Sequence, residues 1–280
     1  MQKVLAWTVG RFSERRFGTP RLDAELLLCE VLKWPRVQLY THFDQPLSPT
    51  ELAAYRELVK RRLAGEPVAY LLGRRDFHQL SLAVDARVLI PRPETELLVD
   101  AILERIPQGG RLLDVCTGSG AIALACKHAR PDLDVTAIDL SKDALAVAEH
   151  NRASLGLQVR LLAGDLYAPV RSERFDFIAS NPPYIATGDL AGLPPEVKKE
   201  PRLALDGGPD GLDLLRRLID DATAHLQPAG WFGCELGQGQ APAVAARLGE
   251  RGFSSVTTIR DYAGIERIVV GCIAGATEPG

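Results

Sequence analysis

From residue 111 to residue 273, short apolar runs of strand length alternate with segments of helical period, and this alternation limits the fold more than any other feature of the chain. Arg111-Leu112-Leu113-Asp114-Val115 is the first run, followed by a Gly-containing turn and the helical Ala121-Ile122-Ala123-Leu124-Ala125. Asp134-Val135-Thr136-Ala137-Ile138-Asp139 is a second strand, and residues 143–155 a second helix. Val159-Arg160-Leu161-Leu162-Ala163 and Phe175-Asp176-Phe177-Ile178-Ala179 read as the third and fourth strands. A helix over 212–226, a strand over 231–236 and a helix over 241–251 follow, and strands over 256–259 and 267–273 close the pattern. Such an order predicts an α/β domain, a doubly wound, mostly parallel seven-stranded sheet with helices on both faces. The last two strands are joined too closely for a parallel crossover, so one of them must run antiparallel.

The first 75 or so residues read differently, as a small all-α domain. Leu22, Leu26, Leu27 and Val31 recur at helical spacing. Ser48-Pro49-Thr50-Glu51 is a capping box with Pro at the first helical position, and Leu52, Tyr55, Leu58, Val59 and Leu63 then form one stripe before Gly65 and Pro67 end it. Between the two parts, Leu80-Ser81-Leu82-Ala83-Val84 alternates like a strand of a hairpin, and Ile90-Pro91-Arg92-Pro93-Glu94-Thr95-Glu96 opens another helix. The expected division is a helical domain over 1–75, a linker with a hairpin over 76–95 and the α/β domain over 96–280.

Composition excludes several classes. With 46% hydrophobic and 25% charged residues the chain can bury an ordinary core, and it has no run of about 18 uncharged apolar residues to span a membrane. The five cysteines are scattered without a C-x-x-C pair, which argues for reduced thiols in a cytoplasmic protein and against a metal site or disulfide framework. No secretory signal is visible at the N-terminus. The net charge of -3 is unlike that of a nucleic-acid-coating protein. In residues 1–90, 14 Lys and Arg face 10 Asp and Glu, so this part carries +4 and the rest -7. A mildly basic surface of that kind suits either plain solvation or an acidic partner.

Ligands of open α/β sheets bind beyond the carboxyl ends of the strands, and four strand ends here carry polar or glycine residues. The first is Asp114-Val115-Cys116-Thr117-Gly118-Ser119-Gly120, whose glycines permit a sharp turn and close approach. Asp139 follows Gly120 by 19 residues, the offset at which an acid accepts hydrogen bonds from a ribose diol. Asp165 and Asn181 end the third and fourth strands. The turn alone would equally suit a dinucleotide, but the full G-x-G-x-x-G is missing, and no G-x-x-x-x-G-K-[ST] occurs.

Asn181-Pro182-Pro183-Tyr184 is the most informative tetrapeptide. The two prolines donate no backbone hydrogen bond and hold their predecessors extended, so the carbonyls point in fixed directions. Asn181 offers a neutral side-chain oxygen, Pro182 a backbone oxygen, and Tyr184 a flat face. Together they suit a planar NH2 group, with two acceptors and a surface for stacking. A sulfonium methyl is already activated, so its transfer to such a nitrogen needs positioning and carbonyl dipoles, with no metal and no catalytic carboxylate. On these residues alone the nitrogen could belong to glutamine or to a flipped-out adenine or cytosine.

These motifs resemble those of the N5-glutamine methyltransferases that modify the Gly-Gly-Gln glutamine of class I peptide-chain release factors. The resemblance rests on Ile90–Glu96, Thr117–Ala125, Asn181-Pro182-Pro183-Tyr184-Ile185, and Glu200-Pro201 through Asp206-Gly207-Gly208 with Asp210-Gly211-Leu212, and it covers nearly the whole chain. It implies a Rossmann-like methyltransferase fold with S-adenosyl-L-methionine as cofactor. Cys116, Thr117, Gly118, Ser119 and Gly120 would lie along its methionine part, Asp139 would bind the ribose, and Asp165 and Leu166 would border the adenine. Asn181 would touch cofactor and substrate and act with Pro182 in catalysis, while Pro183 and Tyr184 complete the glutamine frame. The family usually has Gly where this chain has Cys116. The partner implied is a release factor, gripped by the helical N-terminal part, with no direct nucleic-acid substrate. A sister family acting on a ribosomal protein shares Asn-Pro-Pro-Tyr, and Arg92-Pro93-Glu94-Thr95-Glu96 favours the release-factor branch. A nucleic-acid amino methyltransferase and a non-catalytic module that kept the fold are the alternatives of other classes.

Overall fold

A computed structural model describes residues 1–274, so residues 275–280 of the span expected for the α/β domain lie outside the described residues. The chain forms two units, the first comprising Met1–Arg74 with Pro194–Lys199, the second Arg75–Leu193 with the described residues from Glu200 on.

The first unit holds helices α1 (Gln2–Glu14), α2 (Pro20–Leu32), α3 (Arg36–Thr41), α4 (Pro49–Leu63) and α5 (Val68–Leu72). The capping box forms as read: the Ser48 hydroxyl accepts from the Glu51 amide at 3.2 Å, and Glu51 accepts from the Ser48 amide at 2.7 Å. Phe12, Ala24, Leu27, Leu28, Tyr55 and Val59 make the core. Leu22 is 37% exposed, although it shares its helical spacing with Leu26, Leu27 and Val31. Helix α2 carries leucines around most of its circumference, so spacing alone could not choose which face turns inward. Arg62 is buried between Asp23 and Glu196 and lies 3.7 Å from the Phe17 ring centre, which ties residues 194–199 into this unit. A buried guanidinium is tolerable there because both carboxylates and the ring replace its water.

The second unit opens with strands β1 (Arg74–Phe77) and β2 (Leu80–Ala83), a hairpin that contributes Phe77, Leu80 and Leu82 to the core. A single 3-10 turn at Pro93–Thr95 leads into α6 (Glu96–Arg105). The main elements are β3 (Arg111–Val115), α7 (Ala121–Ala129), β4 (Asp134–Asp139), α8 (Lys142–Leu155), β5 (Arg160–Ala163), β6 (Phe175–Ser180), α9 (Asp213–Ala222), β7 (Leu226–Glu235), α10 (Ala241–Glu250), β8 (Phe253–Arg260) and β9 (Glu266–Ile273). The seven strands β3 to β9 stand in the order β5-β4-β3-β6-β7-β9-β8, all parallel except β9. The expected mostly parallel seven-stranded sheet with one antiparallel member is therefore what forms. The helix read over 212–226 stops at Ala222, because the chain turns there into the early start of β7 at Leu226. No helix among the described residues is long and apolar enough to cross a membrane.

Each central strand buries both faces, which is why the strands read as continuous apolar runs. Leu112, Phe177, Ala179, Ile268 and Val270 face one core with α6 and α7. Their neighbours Leu113, Ile178 and Val269 face the other with α9 and α10. Burying each large aliphatic side chain stabilises the fold by about 1.5–3 kcal/mol. Gly233 on β7 sets the fit on the first face: a Cβ there would stand 3.0 Å from Phe177 Cζ and 3.1 Å from Leu98 Cδ1. Gly233→Val should therefore lower the unfolding free energy in a urea titration by about 1–3 kcal/mol. An unchanged midpoint would show that the α6 contact with the sheet is looser than these distances state.

Candidate functional site

The sheet order reverses direction between β3 and β6, and at this switch point the carboxyl ends of β3, β4, β5 and β6 open into one cleft of about 550 Å³. Cys116, Thr117, Gly118, Ser119, Asp139, Asp165, Leu166, Asn181 and Pro183 all line it, so strand ends separated by up to 67 positions in the chain meet around one space. Gly120, Pro182 and Tyr184 do not line it.

The turn after β3 is built on backbone geometry. Cys116 and Gly118 adopt positive φ, +62° and +57°. For Cys116 this is a left-handed conformation that a side chain rarely takes, which gives a physical reason for Gly at this place in the resembling family. The thiol joins the core beneath the β3 end, and burial pushes its pKa up, so it is a protonated, apolar group rather than a nucleophile. Gly120 has φ +84° and sits at the N-terminus of α7, where a Cβ would meet Leu124 Cδ1 at 3.0 Å. Asp114 is fully buried beneath the turn. Its Oδ2 accepts from the Thr117 hydroxyl at 2.6 Å and the Ala123 amide at 3.2 Å, while its Oδ1 has no partner. Burial pushes its carboxyl up to about 7, against the pull of those two donors.

Asp139 at the end of β4 holds the turn as well as facing the cleft. Its two oxygens accept from the Gly118 and Ser141 amides, each at 2.8 Å. Burial raises its carboxyl and the surrounding amides oppose the rise. Each carboxylate oxygen has a second lone pair, so a diol can still be accepted there. Asp165 pairs with Arg217 at 2.6 Å, and its neighbour Leu166 is buried at φ +48°, a second side chain held in a sparsely populated conformation at this rim. Leu140 and Leu203, 57% and 56% exposed, are large apolar side chains open to the same cleft.

Asn181 is set at the end of β6. Its Nδ2 donates to the Thr95 hydroxyl at 3.1 Å, and its Oδ1 is buried with no hydrogen-bond partner. Thr95 in turn donates to Glu235 Oε2 at 2.5 Å. Glu235 ends β7, is 2% exposed, and has its carboxyl pushed up to about 7 by burial. The Tyr184 hydroxyl donates to Glu235 Oε1 at 3.3 Å, and the ring packs against the second core. Tyr184 thus braces the site through its hydroxyl. No backbone amide among the described residues donates to the Pro182 carbonyl. The loop is braced from outside. Ile185 and Thr187 exchange backbone hydrogen bonds with residues 205–208, and Gln240 Nε2 donates to the Tyr184 carbonyl at 2.9 Å. Gly207 must be glycine, because a Cβ would lie 2.7 Å from the Pro183 carbonyl oxygen. Glu200 pairs with Arg92 and accepts from the Ile90 amide, which closes the wall formed by Pro91 and Pro201.

Sequence reasoning missed Thr95 and Glu235. Thr95 was read only as part of a helix-opening segment. Glu235 had a visible signal, an acid ending an apolar strand, the same pattern that drew attention to Asp139.

Two family models match the chain, the PrmC N-terminal domain over residues 3–73 and the Methyltransferase small domain over residues 93–192. The release factor glutamine methyltransferase of Geobacter sulfurreducens is 45% identical over 274 residues, 98% of this chain and 96% of the relative. The one from Bordetella pertussis is 48% identical over 255 residues, 90% of this chain and 94% of the relative. Among solved structures, a methyltransferase from Pyrococcus furiosus matches with a TM-score of 0.54 at 20% identity, over 69% of this chain and 88% of that one, a likeness of fold.

The raised Asp114 carboxyl has a measurable consequence. Its folded pKa lies above the unfolded value of 3.8, so its contribution is intact below that value and is lost as pH rises towards about 7. Asp114→Asn should therefore gain melting temperature relative to the unsubstituted protein between pH 4.5 and pH 8, with most of the gain complete near pH 7. A constant difference across that range would show that Asp114 ionises freely in the fold.

Proposed function

We propose, from the premise that this chain belongs to the release factor glutamine methyltransferase family, that it moves a methyl group from S-adenosyl-L-methionine to the side-chain amide N5 of a release factor glutamine, that of the Gly-Gly-Gln motif, in the cytoplasm. The observation that carries this reading is the Asn181 side-chain oxygen, buried with no donor in a residue that lines the cleft. An uncharged NH2 group is the donor such an acceptor fits, since leaving it unpaired costs about 1–3 kcal/mol.

The residues of the cleft also fit the cofactor. Asp139 keeps free lone pairs for a ribose diol, Leu166 and Ile138 offer apolar walls for a base, and the turn from Cys116 to Gly120 brings backbone close to the remaining chain. When bound, the cofactor supplies a methyl group already activated as a sulfonium. The protein's part is to place the nitrogen. Asn181 Oδ1 accepts one amide hydrogen, and the Pro182 carbonyl, which no backbone amide among the described residues claims although Pro182 is not itself a lining residue of the cleft, accepts the other and holds the planar group in line. Methyl transfer to this nitrogen would leave the S–C electron pair with the departing sulfur and place positive charge on the amide. The same two oxygens stabilise that charge until the nitrogen gives a proton to water.

A single glutamine offers little area, so a protein substrate needs a second surface. Of the eight exposed large hydrophobic residues among the described residues, five lie in the first unit: Trp7, Leu22, Val37, Tyr40 and Phe43. These support a role for that unit in holding the release factor.

With a release factor and methyl-labelled cofactor, Asn181→Ala should lose about 100-fold or more in turnover while cofactor affinity stays within a few-fold. Near-normal transfer by that variant would remove Asn181 from the reaction. The double change Trp7→Ser with Phe43→Ser should raise KM for the release factor about 10-fold and leave kcat and cofactor affinity in place. Equal loss in all three would contradict the assignment of the protein-binding surface.

A further inference from the structure

We infer that Glu235 and Thr95 are positioning residues that set the direction of the Asn181 amide, so that the cleft offers an oxygen acceptor and thereby selects an amide nitrogen over a carboxylate oxygen. This rests on the reaction proposed above and deepens it.

Donor counting sets the direction of the Asn181 amide. A threonine hydroxyl has one hydrogen, and Thr95 gives it to Glu235 Oε2 at 2.5 Å. Its oxygen can then only accept, so the group beside it must donate. Asn181 meets that demand by turning its NH2 to Thr95 at 3.1 Å. The side-chain amide is planar, with oxygen and nitrogen on opposite branches, so this choice leaves Oδ1 on the other side, where it has no partner. Thr95 and Glu235 are 3% and 2% exposed, so both links are packed within the protein, with Thr95 at the wall of the cleft.

The two Glu235 oxygens accept, Oε2 from Thr95 and Oε1 from Tyr184. The direction of the relay is therefore built into the packing of β7, the Pro93–Thr95 turn and the β6 end. Without the Thr95 hydroxyl, the Asn181 amide has no partner to distinguish its two ends. Its NH2 can then turn to the cleft, where it would meet the substrate NH2 donor to donor and favour an acceptor such as a carboxylate.

The test compares three full-length proteins: unsubstituted, Thr95→Val, which keeps the shape and drops the hydroxyl, and Thr95→Ser, which keeps the hydroxyl. Thr95→Val should lower kcat about 10- to 100-fold with KM for the release factor and cofactor affinity changed by less than about three-fold. Thr95→Ser should recover most of the loss. A release factor carrying glutamate in place of the target glutamine should compete poorly with the unsubstituted protein and distinctly better with Thr95→Val. If Thr95→Val lost turnover but kept the same preference for glutamine over glutamate, Thr95 would be merely structural and the inference would fall. Side-chain amide NMR reads the relay without any substrate. The Asn181 Nδ2 protons should exchange slowly in the unsubstituted protein and fast in Thr95→Val, and fast exchange in both would overturn the relay. Absence of any transfer to a release factor by the unsubstituted protein would instead overturn the proposed reaction, with the NMR comparison still reporting on Asn181.

Discussion

A single unpaired oxygen organises this site. Asn181 Oδ1 is buried without a donor, while the nitrogen of the same side chain is committed to Thr95. Folding leaves such an acceptor unpaired only where the surrounding structure forces it, because the cost is about 1–3 kcal/mol. Here the force comes from three elements. The end of β6 delivers Asn181, the turn before α6 delivers Thr95, and the end of β7 delivers a buried carboxylate that takes the Thr95 hydrogen. The stored deficit is relieved by one kind of visitor, a group that donates.

The rest of the unit serves to bring that oxygen beside a space for a cofactor. A parallel sheet puts the carboxyl ends of β3, β4, β5 and β6 on one edge, and its reversal between β3 and β6 leaves a gap there. Side chains at φ +62° (Cys116) and +48° (Leu166) mark the two sides of that gap, each turning the chain where glycine would be the easier choice. The bracing is equally local. Gly207 lets residues 205–208 pass against the Pro183 carbonyl, and Gln240 claims the Tyr184 carbonyl, so the tetrapeptide is fixed from behind while its front faces the cleft.

Much of this was legible in the sequence, for identifiable reasons. Short apolar runs gave away the strands of the large sheet, because parallel strands are buried on both faces. The capping box at Ser48 and the strand-end positions of Asp139, Asp165 and Asn181 were local patterns and survive as local structure. What escaped was non-local. The Thr95 contact with Asn181 spans 86 positions and that with Glu235 spans 140, and no spacing rule connects residues so far apart. The contact of the Tyr184 hydroxyl with Glu235, across 51 positions, is non-local in the same way. Helix α2 is apolar on too many sides for its inward face to be read, so Leu22 emerges exposed.

The role proposed for Asn181 is to present an acceptor to an uncharged amide nitrogen. The most direct test is fragment mass spectrometry of a release factor after incubation with the protein and S-adenosyl-L-methionine. One added methyl on the side-chain nitrogen of the Gly-Gly-Gln glutamine is the expected result. A methyl on a carboxylate oxygen or on a charged side chain, or a release factor left unmodified while nucleic acid is methylated, would contradict it.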